Sequence, residues 1–141
     1  MSPPERPILG VSTLIWRDGR VLLVRRGRPP FENVWALPGG RVEPGEPLAT
    51  TARREVREET SLDIEVGEQV DTAEIIGKDP AGRLEMHYVL IVFAGRFLSG
   101  DPVAGGDAAE TRWVARNELG SLPMTVDTAR IVSRGPQGHK D

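Results

Sequence analysis

The sequence contains no cysteine, and that single absence excludes disulfides, thiolate metal sites and cysteine nucleophiles together. Long apolar runs are missing too. The longest, residues 89–94, is far too short to span a bilayer, and residues 1–7 carry three prolines and no apolar core of a signal peptide. Nor is there a basic excess. With a net charge of −3 and a pI near 5.5, no global positive field draws the chain to nucleic acid or to an anionic membrane. An anionic ligand therefore needs local help, from arginines or from a bound cation. No fixed-period repeat and no internal linker interrupts the chain. These absences predict a cytoplasmic protein without a nucleic-acid or membrane partner. The 141 residues predict one domain over 1–141, a size that buries roughly 70% of the unfolded surface, with a flexible tail from about residue 135.

What is present reads as strands, a helix, strands and a helix. Residues 8–16 and 21–24 are rich in β-branched and large apolar side chains and flank Asp18-Gly19, a pair suited to the positive φ angles of a tight hairpin turn. Residues 27–33 form a loop, residues 34–37 a short apolar stretch, and Pro38-Gly39-Gly40 ends it. Over residues 48–60 there is no glycine or proline, and Leu48, Ala49, Ala52 and Val56 recur at helical spacing. Strand pieces are expected at 64–66 and 73–76, a long strand at 86–97, a loop at 99–109, a short strand at 111–114 and a last helix at 126–133. The order predicts an α/β fold, mixed sheets packed between helices.

Chemistry concentrates on the first helix. At about 100° per residue, Glu55, Glu58 and Glu59 fall within an arc of roughly 100°. Like charges at this spacing repel, and carboxylates at a helix C-terminus face its negative dipole end. A hard cation such as Mg²⁺, which prefers carboxylate oxygens, waters and phosphates, would offset that cost. The spacing alone equally suits a solvated helix in which Arg54 pairs with Glu58.

The wider motif separates the two. Gly40, five residues, Glu46, seven residues, then Arg54-Glu55-Val56-Arg57-Glu58-Glu59-Thr60-Ser61-Leu62 resembles the Nudix box, with Ser61 where that family usually has glycine. The match spans residues 40–62. Leu37-Pro38-Gly39, the preceding hairpin and the tryptophan strand before Asn117-Glu118-Leu119 also resemble the family. The resemblance implies an α/β/α sandwich with mixed sheets and the box as loop-helix-loop. It implies Mg²⁺, with Mn²⁺ as a substitute, held by Glu55, Glu58, Glu59 and the Gly39 carbonyl. Arg54 would orient Glu55, Glu46 would be structural, and Glu58 or a late-loop acid, Asp107 or Glu110, would take a proton. Arg25, Arg26 and Arg28 stand where the family places a phosphate-contacting arginine. Phe31, Trp35, Tyr88 and Trp113 could stack on a base, but core packing accounts for them as well. His87 is expected to be structural, and His139 lies in the tail.

By resemblance the substrate is a nucleotide whose pyrophosphate linkage is hydrolysed. Residues 10–28 and 110–119 resemble ADP-ribose pyrophosphatases, although the proline that marks that branch is replaced by Gly77, with Pro80 nearest. Nucleoside triphosphates are the alternative substrates. A non-catalytic nucleotide-binding domain fits poorly with intact glutamates, and the cysteine-dependent isomerase branch fits poorly with a chain that has none. Many members pair, so a homodimer is expected.

Overall fold

A computed structural model describes residues 5–29 and 31–136. Two strands open the fold, β1 (Ile8–Arg17) and β2 (Arg20–Arg26), joined by the anticipated turn with Asp18 at φ 51° and Gly19 at φ 75°. Then come β3 (Trp35–Ala36), β4 (Gly39–Arg41), α1 (Leu48–Thr60), β5 (Asp63–Lys78), β6 (Leu84–Ser99), β7 (Ala108–Ala115), a 3₁₀ turn over Arg116–Ser121, and α2 (Val126–Ser133).

Strand β1 joins two sheets. Its first eight residues run parallel to β6, which pairs antiparallel with β5, while β4 lies antiparallel on the other edge of β1. At its end β1 turns into β2, which carries β3 and β7 antiparallel. The mixed sheet separates two apolar clusters because strand side chains alternate between faces. Leu14, Trp16, Val21 and Leu23 pack with Ile131 and Val132 of α2, whereas Ile15 and Leu22 pack with Val56 of α1 and with Leu62 and Ile64. Helices thus cover both faces of the sheet. Among the described residues no helix is long and apolar enough to cross a membrane.

Both helices keep the expected boundaries, but the strands differ. The expected pieces at 64–66 and 73–76 belong to one strand, β5, whose pairing with β6 shifts between Val66 and Gln69 and again before Asp71. Such bulges insert unpaired residues and break the apolar alternation. Of the expected breaker Pro38-Gly39-Gly40, the two glycines pair with β1, together with Arg41, as β4. The late loop is shorter than 99–109, since β6 runs to Ser99 and β7 starts at Ala108. Residues 137–141 of the expected tail, with His139, lie outside the described residues.

Candidate functional site

Strand β4 passes across the C-terminal half of α1, and its glycines permit the approach. A Cβ on Gly40 would stand 2.5 Å from the Glu55 carboxylate, and one on Gly39 would collide with the Val11 carbonyl. With that space free, the Gly39 N–H donates to Glu59 Oε1 at 2.8 Å. Glu59 is 5% exposed. Burial raises its pKa to about 8 from 4.5; the nearby charges of Glu55 and Asp107 add to the rise, while the Gly39 hydrogen bond and Arg26 oppose it.

Arg54 organises the rest of this acidic surface. Its Nε and Nη2 donate to the two oxygens of Glu46 at 2.8 and 2.9 Å, its Nη1 donates to Glu55 at 2.7 Å, and its Nη2 also reaches the Arg41 carbonyl at 3.1 Å. Glu46 is pulled down to about 2, first by the Arg54 hydrogen bonds and then by the Thr51 hydroxyl. Glu46 and Arg54 therefore form a matched, bidentate pair. Glu55 gets less relief. Burial raises its pKa, Arg54 counters, and Glu58 and Asp107 push it up again. Glu58 is half exposed, with Arg54 Nη1 at 3.4 Å.

Beside the helix lies an open cleft of about 460 Å³. Its lining combines polar and charged groups, Glu55, Asp107, Arg26 and the glycines of β4, with apolar ones, among them Phe31, Val34, Leu90 and Ile131, and α2 contributes Asp127 and Thr128. Of the three arginines, only Arg26 lines the cleft. Its neighbour Arg25 points to the opposite side of β2, donating to Glu110 at 3.3 Å and to Asn33 at 2.8 Å. Arg28 is largely exposed, 3.7 Å from Asp107. The two late-loop acids separate in the same way: Asp107 faces the cleft, and Glu110 is held by Arg25. Of the aromatics, Phe31 and Tyr88 line the cleft, Trp35 is core, and Trp113 packs edge-on against Phe97. Reading the residues in sequence missed Asp127 and Thr128. Asp127 sits in the first turn of α2 after the Thr125 cap, which reads as ordinary helix-start chemistry, so no signal pointed to the cleft.

Among the described residues, no three acidic or histidine side chains already surround one point closely enough to hold a metal ion. Glu59 is turned into the Gly39 amide, Glu55 leans on Arg54, and Glu58 points outward. The donor chemistry nonetheless fits a hard cation. Buried Glu59 and half-buried Glu55 have pKa values raised first by burial and then by neighbouring acids, and Arg54 is largely committed to Glu46, so both could give oxygens to a cation.

The family model of the NUDIX domain matches residues 6–134. The chain belongs to the Nudix family. It is 35% identical over 116 residues to an ADP-ribose pyrophosphatase of Methanocaldococcus jannaschii, covering 82% of this chain and 66% of that protein. It is 38% identical over 96 residues to a putative 8-oxo-dGTP diphosphatase of Mycobacterium tuberculosis, covering 64% of this chain and 41% of that one. The chain thus spans less than two thirds of the length of these relatives. A crystal structure of a MutT Nudix hydrolase from Burkholderia pseudomallei superposes with a TM-score of 0.73 at 32% identity, covering 92% of this chain and 98% of the other. The mixed sheet between helices is thus the Nudix fold, and Nudix hydrolases generally use divalent metals.

Proposed function

We propose that this Nudix chain hydrolyses the pyrophosphate linkage of a nucleoside diphosphate derivative, with an ADP-ribose-like substrate favoured and Mg²⁺ as the metal. The observation that carries this reading is that one cleft is lined both by an acidic group with a raised pKa, Glu55 beside Asp107, and by apolar side chains such as Phe31, Val34 and Leu90. Such a cleft suits a ligand with a phosphate chain at one end and a flat, largely apolar group at the other.

Glu55, Glu58, Glu59 and the Gly39 carbonyl would hold the cation. When bound, the cation offsets phosphate charge and acidifies a water. Arg54 keeps Glu55 in place, and Arg26 meets a phosphate oxygen from the facing wall. A carboxylate oxygen of Glu58 or Asp107 accepts the proton of the attacking water. The water oxygen bonds to one phosphorus as the bridging P–O bond breaks, and two phosphate monoesters leave.

A second reading, pyrophosphohydrolysis of (deoxy)nucleoside triphosphates, is favoured by the likeness to the mycobacterial relative. Products separate the two. With Mg²⁺, ADP-ribose should give AMP and ribose 5-phosphate, whereas the second reading requires a nucleoside monophosphate and pyrophosphate from a triphosphate. No turnover of either substrate class with Mg²⁺ or Mn²⁺ would remove both.

A further inference from the structure

Residue 61 departs from the box, and its surroundings give the departure a use. Ser61 closes α1 at φ 66°, in the left-handed region, with its N–H donating to the Arg57 carbonyl at 2.9 Å. Glycine would take this conformation without strain; serine pays a steric penalty there. The hydroxyl is what serine adds. It donates to the Val103 carbonyl at 3.0 Å, while the Val103 N–H donates to the Thr60 carbonyl at 2.9 Å and the Gly105 N–H to the Glu59 carbonyl at 3.3 Å. The loop over residues 100–107 therefore satisfies carbonyls that the end of α1 leaves without helical partners. It lies so close that a Cβ on Gly105 would stand 2.6 Å from the Glu58 carbonyl oxygen. Two residues on is Asp107, whose carbonyl accepts from Gly27 at 2.9 Å and which lines the cleft beside Glu55.

We infer that Ser61 is a positioning residue: its hydroxyl clamps the 100–107 loop onto the last turn of α1 and so sets Asp107 against the glutamates on that turn. The link to activity rests on the hydrolase reading above; the clamp itself does not.

Three variants of the full chain separate the clamp from stability. Ser61→Gly removes the hydroxyl and the strain together, so two effects of opposite sign leave Tm little changed. Ser61→Ala removes the hydroxyl and keeps the strain, so Tm falls. Ser61→Asn tolerates the left-handed conformation and offers an N–H to Val103. Amide exchange of Val103 and Gly105, followed by NMR, should accelerate in the glycine and alanine variants and return toward the parent rate in the asparagine variant. In both accelerated variants kcat should fall by roughly three- to tenfold, the range one net hydrogen bond yields, with KM unchanged and with no relation to Tm. Unchanged exchange in Ser61→Gly would overturn the clamp, whether or not the chain is a hydrolase. Faster exchange with undiminished kcat would overturn the positioning role while leaving the hydrolase reading intact. A kcat that tracked Tm across the three variants would also overturn it.

Discussion

Two carboxylates with nearly the same side-chain exposure, Glu55 at 14% and Asp71 at 11%, behave in opposite ways. Burial alone would raise both. At Asp71, which follows a β5 bulge, the Arg130 side chain donates at 2.9 Å, the Thr72 N–H at 2.7 Å, and Arg134 also pairs with it, so its pKa is lowered despite burial. At Glu55 burial outweighs Arg54, which is shared with Glu46, further acids crowd in, and the pKa is raised. Near it Glu59 is pushed up to about 8. The α2 end of the molecule holds its charge balanced, as a structural tie between helix and sheet does. The α1 end holds its charge unbalanced, which costs stability unless a cation joins it.

Glu59→Gln should break the contrast most. It removes the carboxyl whose ionisation burial opposes most, and the new amide oxygen can still accept from Gly39. We expect kcat to drop by at least about a hundredfold, or 2.7 kcal/mol of barrier, while the metal-free protein melts higher than its parent. Kinetics and melting in EDTA check both halves. A kcat within twofold of the parent would end the metal-ligand assignment.

The next effect is on stability. Magnesium at a hundredfold excess over its Kd should stabilise the folded chain by about 2.7 kcal/mol, where sodium at matched ionic strength should not. The sign of the pH dependence follows from Glu59. Its folded pKa of about 8 lies above the ordinary 4.5, so its contribution is fully present below about 4.5 and is lost as pH rises through about 8. Saturating Mg²⁺, which selects the ionised form, should erase that loss. Asp71 has the opposite sign: its contribution is present above the ordinary 3.8 and lost as pH falls through its lowered value. Melting curves from about pH 2 to 9 with and without Mg²⁺ test both signs, and profiles that superimpose above about pH 4 would show that the α1 end is as balanced as the α2 end.

Asp71→Asn should give the mirror image of the first variant. Stability should fall by about 1–2 kcal/mol, allowing for the solvent exposure of the arginines, and kcat should stay within twofold. A larger loss of kcat than of stability would mean that the α2 network serves the reaction directly.

The smallest contrast sharpens the choice of loop acid. Glu110→Gln loses only a half-exposed pair with Arg25, a change of about 0.5 kcal/mol with kcat intact, whereas Asp107→Asn should lower kcat by about tenfold or more. Parallel kinetics on the two variants decide it, and the reverse ranking would move the role to Glu110.

Periodic apolar spacing and a run free of glycine and proline sufficed for the boundaries of α1, and Asp18-Gly19 for the hairpin, because these depend on neighbours in the chain. The same locality made the box glutamates legible as one face of α1. Strand β5 was less legible because its bulges spoil the alternation, and β4 because only pairing with β1 turns Gly39–Arg41 into a strand. Sequence alone thus determined that three carboxylates would share a helix face beside an arginine. Tertiary structure decided which of them is buried, that Arg26 and Asp107 enter the cleft while Arg25 and Glu110 hold each other, and that Asp127 joins the cleft lining. Burial and charge compensation are set by groups that meet across the sheet from distant parts of the chain, and no local pattern encodes which long-range partner arrives.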